Sequence, residues 1–337
     1  MHPECCEERA VRLFTEQLGI LGNALLLIGS LVVLAKASDL TINNAIKVSD
    51  MTGFGKTTIG FILVGFSTSL PELFVSVFAA LGQGSIGIAV GNVLGSNIAN
   101  IALILGACFL IVAGTSHKYA GFDAGIVKEE IGSLYFGLFM ASIIPLALLY
   151  FGYASRFMGI ILLIIFIVYM VELSRVRTAK NEAAIGPEKT RMPRYISLAF
   201  LGSVGVVVTS YFLVDSASFI AGAIGVPAVV IGSTIVAFGT SIPELATSIT
   251  SVRKRHLNLA FGNIVGSCFI NITCILGVTL VASPLTVNIT AFSRLAIFSL
   301  IANLFLWYFL SLERLTWREG AMFLVIYAVF IATSFTA

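Results

Sequence analysis

The sequence predicts an all-α polytopic membrane protein whose ten transmembrane helices form two inverted-topology repeats of five helices each. Three observations predict it. The 337 residues are 58% hydrophobic and only 11% charged, the basic residues crowd one set of loops, and one long motif is written twice. Soluble domains carry roughly 25% charged residues, so a chain this poor in charge needs a bilayer as its solvent. A spanning helix needs about 20 mostly apolar residues. Ten such windows can be marked, centred near residues 27, 66, 100, 141, 165, 207, 239, 270, 299 and 326.

Taken in order, residues 1–17 (MHPECCEERAVRLFTEQ) form a polar tail. Its Glu4, Glu7, Glu8 and Glu16 precede the first apolar run, which excludes a signal-peptide n-region. The adjacent Cys5 and Cys6 belong to this tail and are read as inert. Residues 18–176 make the first five-helix repeat, with its motif over 60–106. Residues 177–194 are a cytoplasmic linker, the end of the charged run from Arg175 to Arg194, too short for a folded domain. Residues 195–337 make the second repeat, with its motif over 232–277. Cys108, Cys268 and Cys274 lie in apolar spans without metal or disulfide spacing and read as small packing residues.

Orientation follows from the basic residues. With ten spans, the loops after odd-numbered spans hold 16 of the 20 Lys and Arg, from Lys36 to Arg318. Only Arg9, Arg12, Arg156 and Arg294 fall on the other side. The richer side is cytoplasmic, so both termini are expected outside a plasma-membrane protein that crosses many times. The net charge of +3 is spread without a basic patch, which gives no footing for nucleic acid, and no obligatory protein partner is evident beyond the lipid bilayer.

The two copies are FSTSLPE…GNVLGSNIAN and FGTSIPE…GNIVGSCFIN. Glu72 plus 172 is Glu244, while Asn92, Ser96 and Asn100 plus 171 are Asn263, Ser267 and Asn271. Five spans separate the copies, an odd number, so the halves enter the membrane in opposite senses. That is the plan of secondary transporters, which place their ion site near the midplane where the halves meet. Pro71 lacks an N–H, so the carbonyl of Ser67 loses its helical partner, and Pro243 does the same to Gly239. Broken backbone at this depth is tolerated where it lines a cavity. Thr68 and Glu72 are four apart, as are Thr240 and Glu244, so each pair is expected on one helix face. Gly91 with Gly95, and Gly262 with Gly266, are small-xxx-small pairs suited to close helix approach.

Two carboxylates, several hydroxyls, paired amides and freed carbonyls are all oxygen donors, with no imidazole or mirrored thiol. Such a set suits hard cations, and a flexible cage of six to eight oxygens suits calcium. A carboxylate at the bilayer centre costs roughly 3 kcal/mol, and two facing each other also repel, so a cation between them is the natural compensation.

These paired motifs closely resemble the two alpha-repeats of the cation/calcium exchanger superfamily, especially the prokaryotic type of its sodium/calcium exchanger branch. The resemblance implies a central calcium site built from Glu72 and Glu244 with the backbone oxygens of Thr68 and Thr240. It implies flanking sodium sites using Ser69, Ser96, Ser241, Ser267, the Thr68 and Thr240 hydroxyls, and the carbonyls of Gly65 and Ala237. Asn100 and Asn271 would complete the middle. Ser67 stands where the second copy has Gly239. Asn271 stands where many prokaryotic members carry Asp, which removes one titratable group. The function so implied is antiport of calcium against sodium by alternating access, with calcium/proton or other divalent exchange on the same fold as the alternative. No cofactor is expected, only the transported calcium and sodium ions. An intramembrane enzyme would need an asymmetric catalytic set, such as a Ser–His pair or HExxH, and the spans contain none.

Overall fold

A computed structural model describes residues 3–52, 54–81, 86–115, 128–174, 191–224, 237–286, 289–311 and 316–335. The first half contains α1 (Pro3–Thr52), α2 (Lys56–Ile59), α3 (Phe66–Thr68), α4 (Leu70–Leu81), α5 (Ile86–Ile98), α6 (Gly106–Thr115), α7 (Lys128–Phe151) and α8 (Arg156–Leu173). The second contains α9 (Met192–Ala223), α10 (Ala237–Gly239), α11 (Ile242–Arg253), α12 (Leu257–Ile270), α13 (Leu276–Ala282), α14 (Ile289–Ser311) and α15 (Trp317–Phe335). Wider π-helical turns join α2 to α3 (Gly60–Gly65), α5 to α6 (Ala99–Leu105) and α12 to α13 (Asn271–Ile275).

A helix or helical turn passes through each of the ten expected centres. Among the described residues, seven helices are long and apolar enough to cross a membrane. The pair Lys56–Thr68 and Leu70–Val77, bent by 48°, makes an eighth. The helices at centres 239 and 326 do not reach that standard over their described residues. The fold is therefore helical and multi-pass, with one small exception. β1 (Tyr153–Ala154) pairs antiparallel with β2 (Leu285–Thr286), tying the α7–α8 turn to the segment after α13.

Two expectations change at the N-terminus. The polar tail is helical from Pro3, as its run of Glu, Arg, Leu and Ala favours, and it breaks from the span at Gly19 (φ 63°, ψ −176°). Lys36 and Lys47, assigned to a loop, lie on α1, which continues to Thr52. The span from Gln17 to Thr52 has 36 residues, about 54 Å of helix at 1.5 Å each, far more than the bilayer core requires. Its last turns carry polar residues, and Asp39 pairs with Lys254 at 2.8 Å. The linker is covered only from residue 191 onward, so most of it lies outside the described residues.

The core gathers around α12, whose residues from Leu259 to Ile270 are all buried. Phe269 packs against Tyr169 at 4.8 Å between ring centroids and against Phe61 at 5.6 Å, and Tyr169 anchors its hydroxyl on the Ser133 carbonyl at 3.0 Å. On another face, α12 meets the turn at Gly60–Gly65 almost backbone to backbone. A Cβ at Gly262 would collide with the Thr57 carbonyl, and one at Gly266 would lie 2.7 Å from the Phe61 Cα. This is the close approach expected of the second glycine pair. Among the described residues, nothing lies within 4 Å of such a Cβ at Gly91 or Gly95. The stretch equivalent to Thr57–Phe61 in the second repeat lies outside the described residues.

Candidate ion-binding site

Each copy of the motif breaks its helix at the same place. Ser69 interrupts the first with φ −82° and ψ 8°, and Ser241 the second with φ −91° and ψ 5°. The prolines follow at once, at the second position of α4 and of α11, where a missing N–H costs the helix nothing. Thr68 and Glu72 therefore do not share one continuous helix face, as their spacing alone suggests. They stand on either side of a bend.

The two copies dock by exchanging hydrogen bonds. The Ser69 hydroxyl donates to Glu244 Oε1 at 3.3 Å, and the Ser241 hydroxyl to Glu72 Oε1 at 3.5 Å. Thr68 donates to Asn263 Oδ1 at 3.3 Å, and Thr240 to Asn92 Oδ1 at 3.5 Å. Every bond has a partner related by the sequence offset, so the inverted repeat is visible as a pseudo-two-fold axis between the glutamates. Glu72 is 1% exposed and Glu244 is fully buried, which in a chain this apolar demands compensation of their charge.

Of the expected residues, Thr68, Thr240, Ser69, Ser241, Glu72 and Glu244 converge in this network. Ser267 joins it, its single hydroxyl hydrogen shared between Glu244 Oε1 and the Gly65 carbonyl, both at 3.4 Å. The Gly65 carbonyl also accepts the Ser69 N–H at 3.1 Å and lies 3.3 Å from the Thr68 hydroxyl, whose one hydrogen it shares with Asn263 Oδ1. Ser96, the counterpart of Ser267, is 4% exposed and its hydroxyl has no partner among the described residues. Asn100 and Asn271 lie in the equivalent π-helical turns, a geometry that recurs at functional sites. Ala237 opens α10, and its side-chain surroundings lie outside the described residues.

Asn92 and Asn263 were visible in the repeated pattern but not expected to serve the site. They act as its struts. Asn263 Nδ2 reaches the Glu244 carbonyl at 3.4 Å and the hydroxyls of Thr247 and Ser248 at 3.0 and 2.9 Å. Asn92 Nδ2 reaches the Glu72 carbonyl at 3.2 Å and Ser76 at 3.0 Å. Extending the offset of 172 from Ser76 to Ser248 would have found these supports in the sequence.

Several of the buried polar atoms that lack a partner among the described residues gather at this site. Glu72 Oε2, Glu244 Oε2, the Ser96 hydroxyl, both amide atoms of Asn100, and Asn271 Oδ1 are buried without a hydrogen-bond partner among the described residues. Buried polar atoms are seldom orphaned, and each orphan costs about 1–3 kcal/mol. Here four of them are oxygens equivalent in pairs across the axis. Among the described residues no three His, Cys, Asp or Glu side chains converge. The donors are two carboxylates with neutral oxygens, a set that suits hard cations.

The sodium/calcium exchanger protein family matches residues 22–174 and 194–336. This chain belongs to that family. It is 32% identical over 285 residues to the inner membrane protein YrbG of Escherichia coli, covering 82% of this chain and 84% of that protein. It is 30% identical to the sodium/calcium exchanger MaX1 of Methanosarcina acetivorans, covering 93% of this chain and 98% of the relative. Its fold matches the solved sodium-calcium exchanger NCX_Mj, soaked with sodium and without calcium, at a TM-score of 0.78 and 27% identity. That match covers 93% of this chain and 99% of the solved one. Membership makes the protein a multi-pass membrane exchanger of cations, calcium among them, and not an enzyme.

Proposed function

We propose that the protein exports calcium against inward sodium by alternating access, carrying both ions through the cage between Glu72 and Glu244. The observation that carries this reading is the symmetric set of unpaired oxygens, Glu72 and Glu244 Oε2 with Ser96, Asn100 and Asn271 beside them. Calcium binds the two carboxylates with neutral oxygens around them. Sodium binds the hydroxyl-rich flanks at Ser69, Ser96, Ser241, Ser267, Thr68 and Thr240, with the carbonyls of Gly65 and Ala237. Two carboxylates balance one calcium or two sodium ions, and a third sodium makes the cycle electrogenic. The neutral amides at 100 and 271 supply oxygens without further titratable groups, which favours sodium over protons as the coupled ion. The two halves, 18–176 and 195–337, act as the moving units about this site, and both termini face outward.

The test is uptake of radioactive calcium into proteoliposomes, comparing an outward sodium gradient with a proton gradient of equal size. Sodium should drive uptake, and Glu72→Gln or Glu244→Gln should each abolish it in a protein that still folds. Uptake driven by protons alone assigns the chain to the alternative, and wild-type exchange in both variants removes the glutamates from the site.

A further inference from the structure

Asn97 and Cys268 are equivalent positions, since 97 plus 171 is 268, and they meet across the axis. Asn97 Nδ2 donates to the Cys268 carbonyl at 3.3 Å, and the Cys268 thiol lies 3.9 Å from the Asn97 carbonyl. Both residues are buried, Asn97 at 1% exposure. The direction of the Asn97 amide follows from its partner. A backbone carbonyl only accepts, so the atom facing it must be the N–H side. The other atom, Oδ1, then lies 2.9 Å from the Asn271 amide. An oxygen with only lone pairs needs a donor there, so Asn271 must turn its Nδ2 to Asn97. Its own Oδ1 is left over, and this is the atom without a partner among the described residues.

The equivalent arrangement is missing on the other side. Where a second Asn97 would stand, Cys268 offers a thiol, a weak donor and weak acceptor. Asn100 sits against that thiol in a weak side-chain contact, and among the described residues neither of its amide atoms has a stronger partner. One amide of the cage is held by a chain of bonds that starts at a backbone carbonyl. Its counterpart is not.

We propose that Asn97 is a positioning residue that fixes Asn271 with Oδ1 presented to the bound ion, and that Cys268, a weak partner, holds Asn100 less firmly. The inference rests on the reading above in which Asn100 and Asn271 serve the ions. It makes the Asn97/Cys268 pair a determinant of calcium affinity although neither side chain is expected to touch the ion.

The experiment pairs equilibrium calcium binding to purified protein with sodium-driven calcium flux in proteoliposomes. Asn97→Ala should weaken calcium binding about tenfold, the effect of losing one buried hydrogen bond to a ligand group, with maximal flux changed by less than about twofold. Combined with Asn271→Ala it should cause no further loss, because the group it positions is gone. Cys268→Asn should tighten calcium binding several-fold, and this gain should vanish in combination with Asn100→Ala. Additive losses for Asn97→Ala and Asn271→Ala, or unchanged binding in Cys268→Asn, overturn the proposal. A wild type that binds calcium but shows no sodium-driven flux overturns the exchange reading alone, and the binding cycles still decide the positioning. A wild type that binds no calcium overturns both.

Discussion

Gly266→Ala tests whether helix packing and ion binding are one problem in this protein. The added Cβ would lie 2.7 Å from the Phe61 Cα, 2.9 Å from its Cγ and 3.0 Å from its carbonyl oxygen. Two of these atoms are backbone and cannot rotate away. Carbon contacts settle near 3.5–4.0 Å, so α12 and the turn at Gly60–Gly65 must separate by roughly 1 Å. Such overpacking costs about 1–3 kcal/mol, while replacing a helical glycine with alanine returns up to about 1 kcal/mol. The net loss of stability therefore lies between about 0 and 3 kcal/mol, a drop in melting temperature of several degrees at most. The site should suffer more. Ser267 is the next residue, and its bond to the Gly65 carbonyl is already 3.4 Å long. A separation of roughly 1 Å breaks that bond and withdraws Ser267 from Glu244, and misplacement by that much can cost a hundredfold in rate. Sodium-driven calcium flux per folded protein should fall between about tenfold and a hundredfold. Undiminished flux in Gly266→Ala, or a loss accounted for entirely by unfolding, refutes the reasoning.

Other perturbations separate the parts of the molecule. Ser267→Ala removes a hydroxyl shared between Glu244 and the Gly65 carbonyl, whereas Ser96→Ala removes one with no partner among the described residues. Both should raise the sodium requirement for calcium flux, and only Ser267→Ala should also lower thermal stability; equal effects on stability argue against the asymmetry. Between α7 and α14, Asn303 Nδ2 donates to Ser142 at 3.0 Å with both residues far from the motif in sequence. Asn303→Leu should cost about 1 kcal/mol of stability and leave the calcium dependence of transport unchanged, as measured by melting and flux on one preparation. Just ahead of α12, His256 Nδ1 lies 3.1 Å from Lys56 Nζ, joining the starts of α2 and α12. Burial holds the His256 pKa below its ordinary 6.5, the Lys56 and Lys254 charges push the same way, and Asp50 opposes them. The unfolded chain therefore takes up this proton first, so stability should fall as pH drops below about 6.5 and stay level above it. His256→Gln should flatten that part of the stability–pH curve, and an unchanged curve excludes this histidine as its source.

How much was legible in the sequence depended on whether one repeat alone could determine a feature. The offset of 171 or 172 named the residues that converge, because duplication marks them without any knowledge of packing. It could not say which residue each would bond. Spacing four apart pairs Thr68 with Glu72 within one helix, but in the folded protein Ser69 reaches Glu244 and Thr68 reaches Asn263. Those partners are exchanged by inverted docking, a tertiary event invisible to local periodicity. The same holds for Asn92 and Asn263, whose role as struts needs the distance between two helices to be known. Hydropathy erred differently at α1. It locates where a chain becomes too polar for lipid, near Lys36, but Lys36, Asp39 and Lys47 are no obstacle to a helix, which runs on to Thr52.

The two halves of the cage are nearly the same in sequence and unequal in structure. The Ser69–Glu244 and Thr68–Asn263 bonds are both 3.3 Å, and their counterparts are both 3.5 Å. Asn263 is fully buried while Asn92 is half-buried. Ser267 shares its hydrogen between two acceptors, and Ser96 has no partner among the described residues. Interchanging the conformations of two inverted halves would remake the same kinds of contacts with their roles reversed, giving a second arrangement open to the opposite side. Because most contacts recur in both arrangements, their energies largely cancel in the difference. What remains comes from positions where the repeats do not match, such as Ser67 against Gly239 and Asn97 against Cys268. A bound ion can shift such an equilibrium only by its difference in affinity for the two states. With the shared contacts cancelled, a difference of about 1.4 kcal/mol, a single hydrogen bond at one unmatched position, changes the ratio tenfold. On the proposed alternating-access reading, the departures from symmetry are therefore where the preferred state of the duplicated fold would be set.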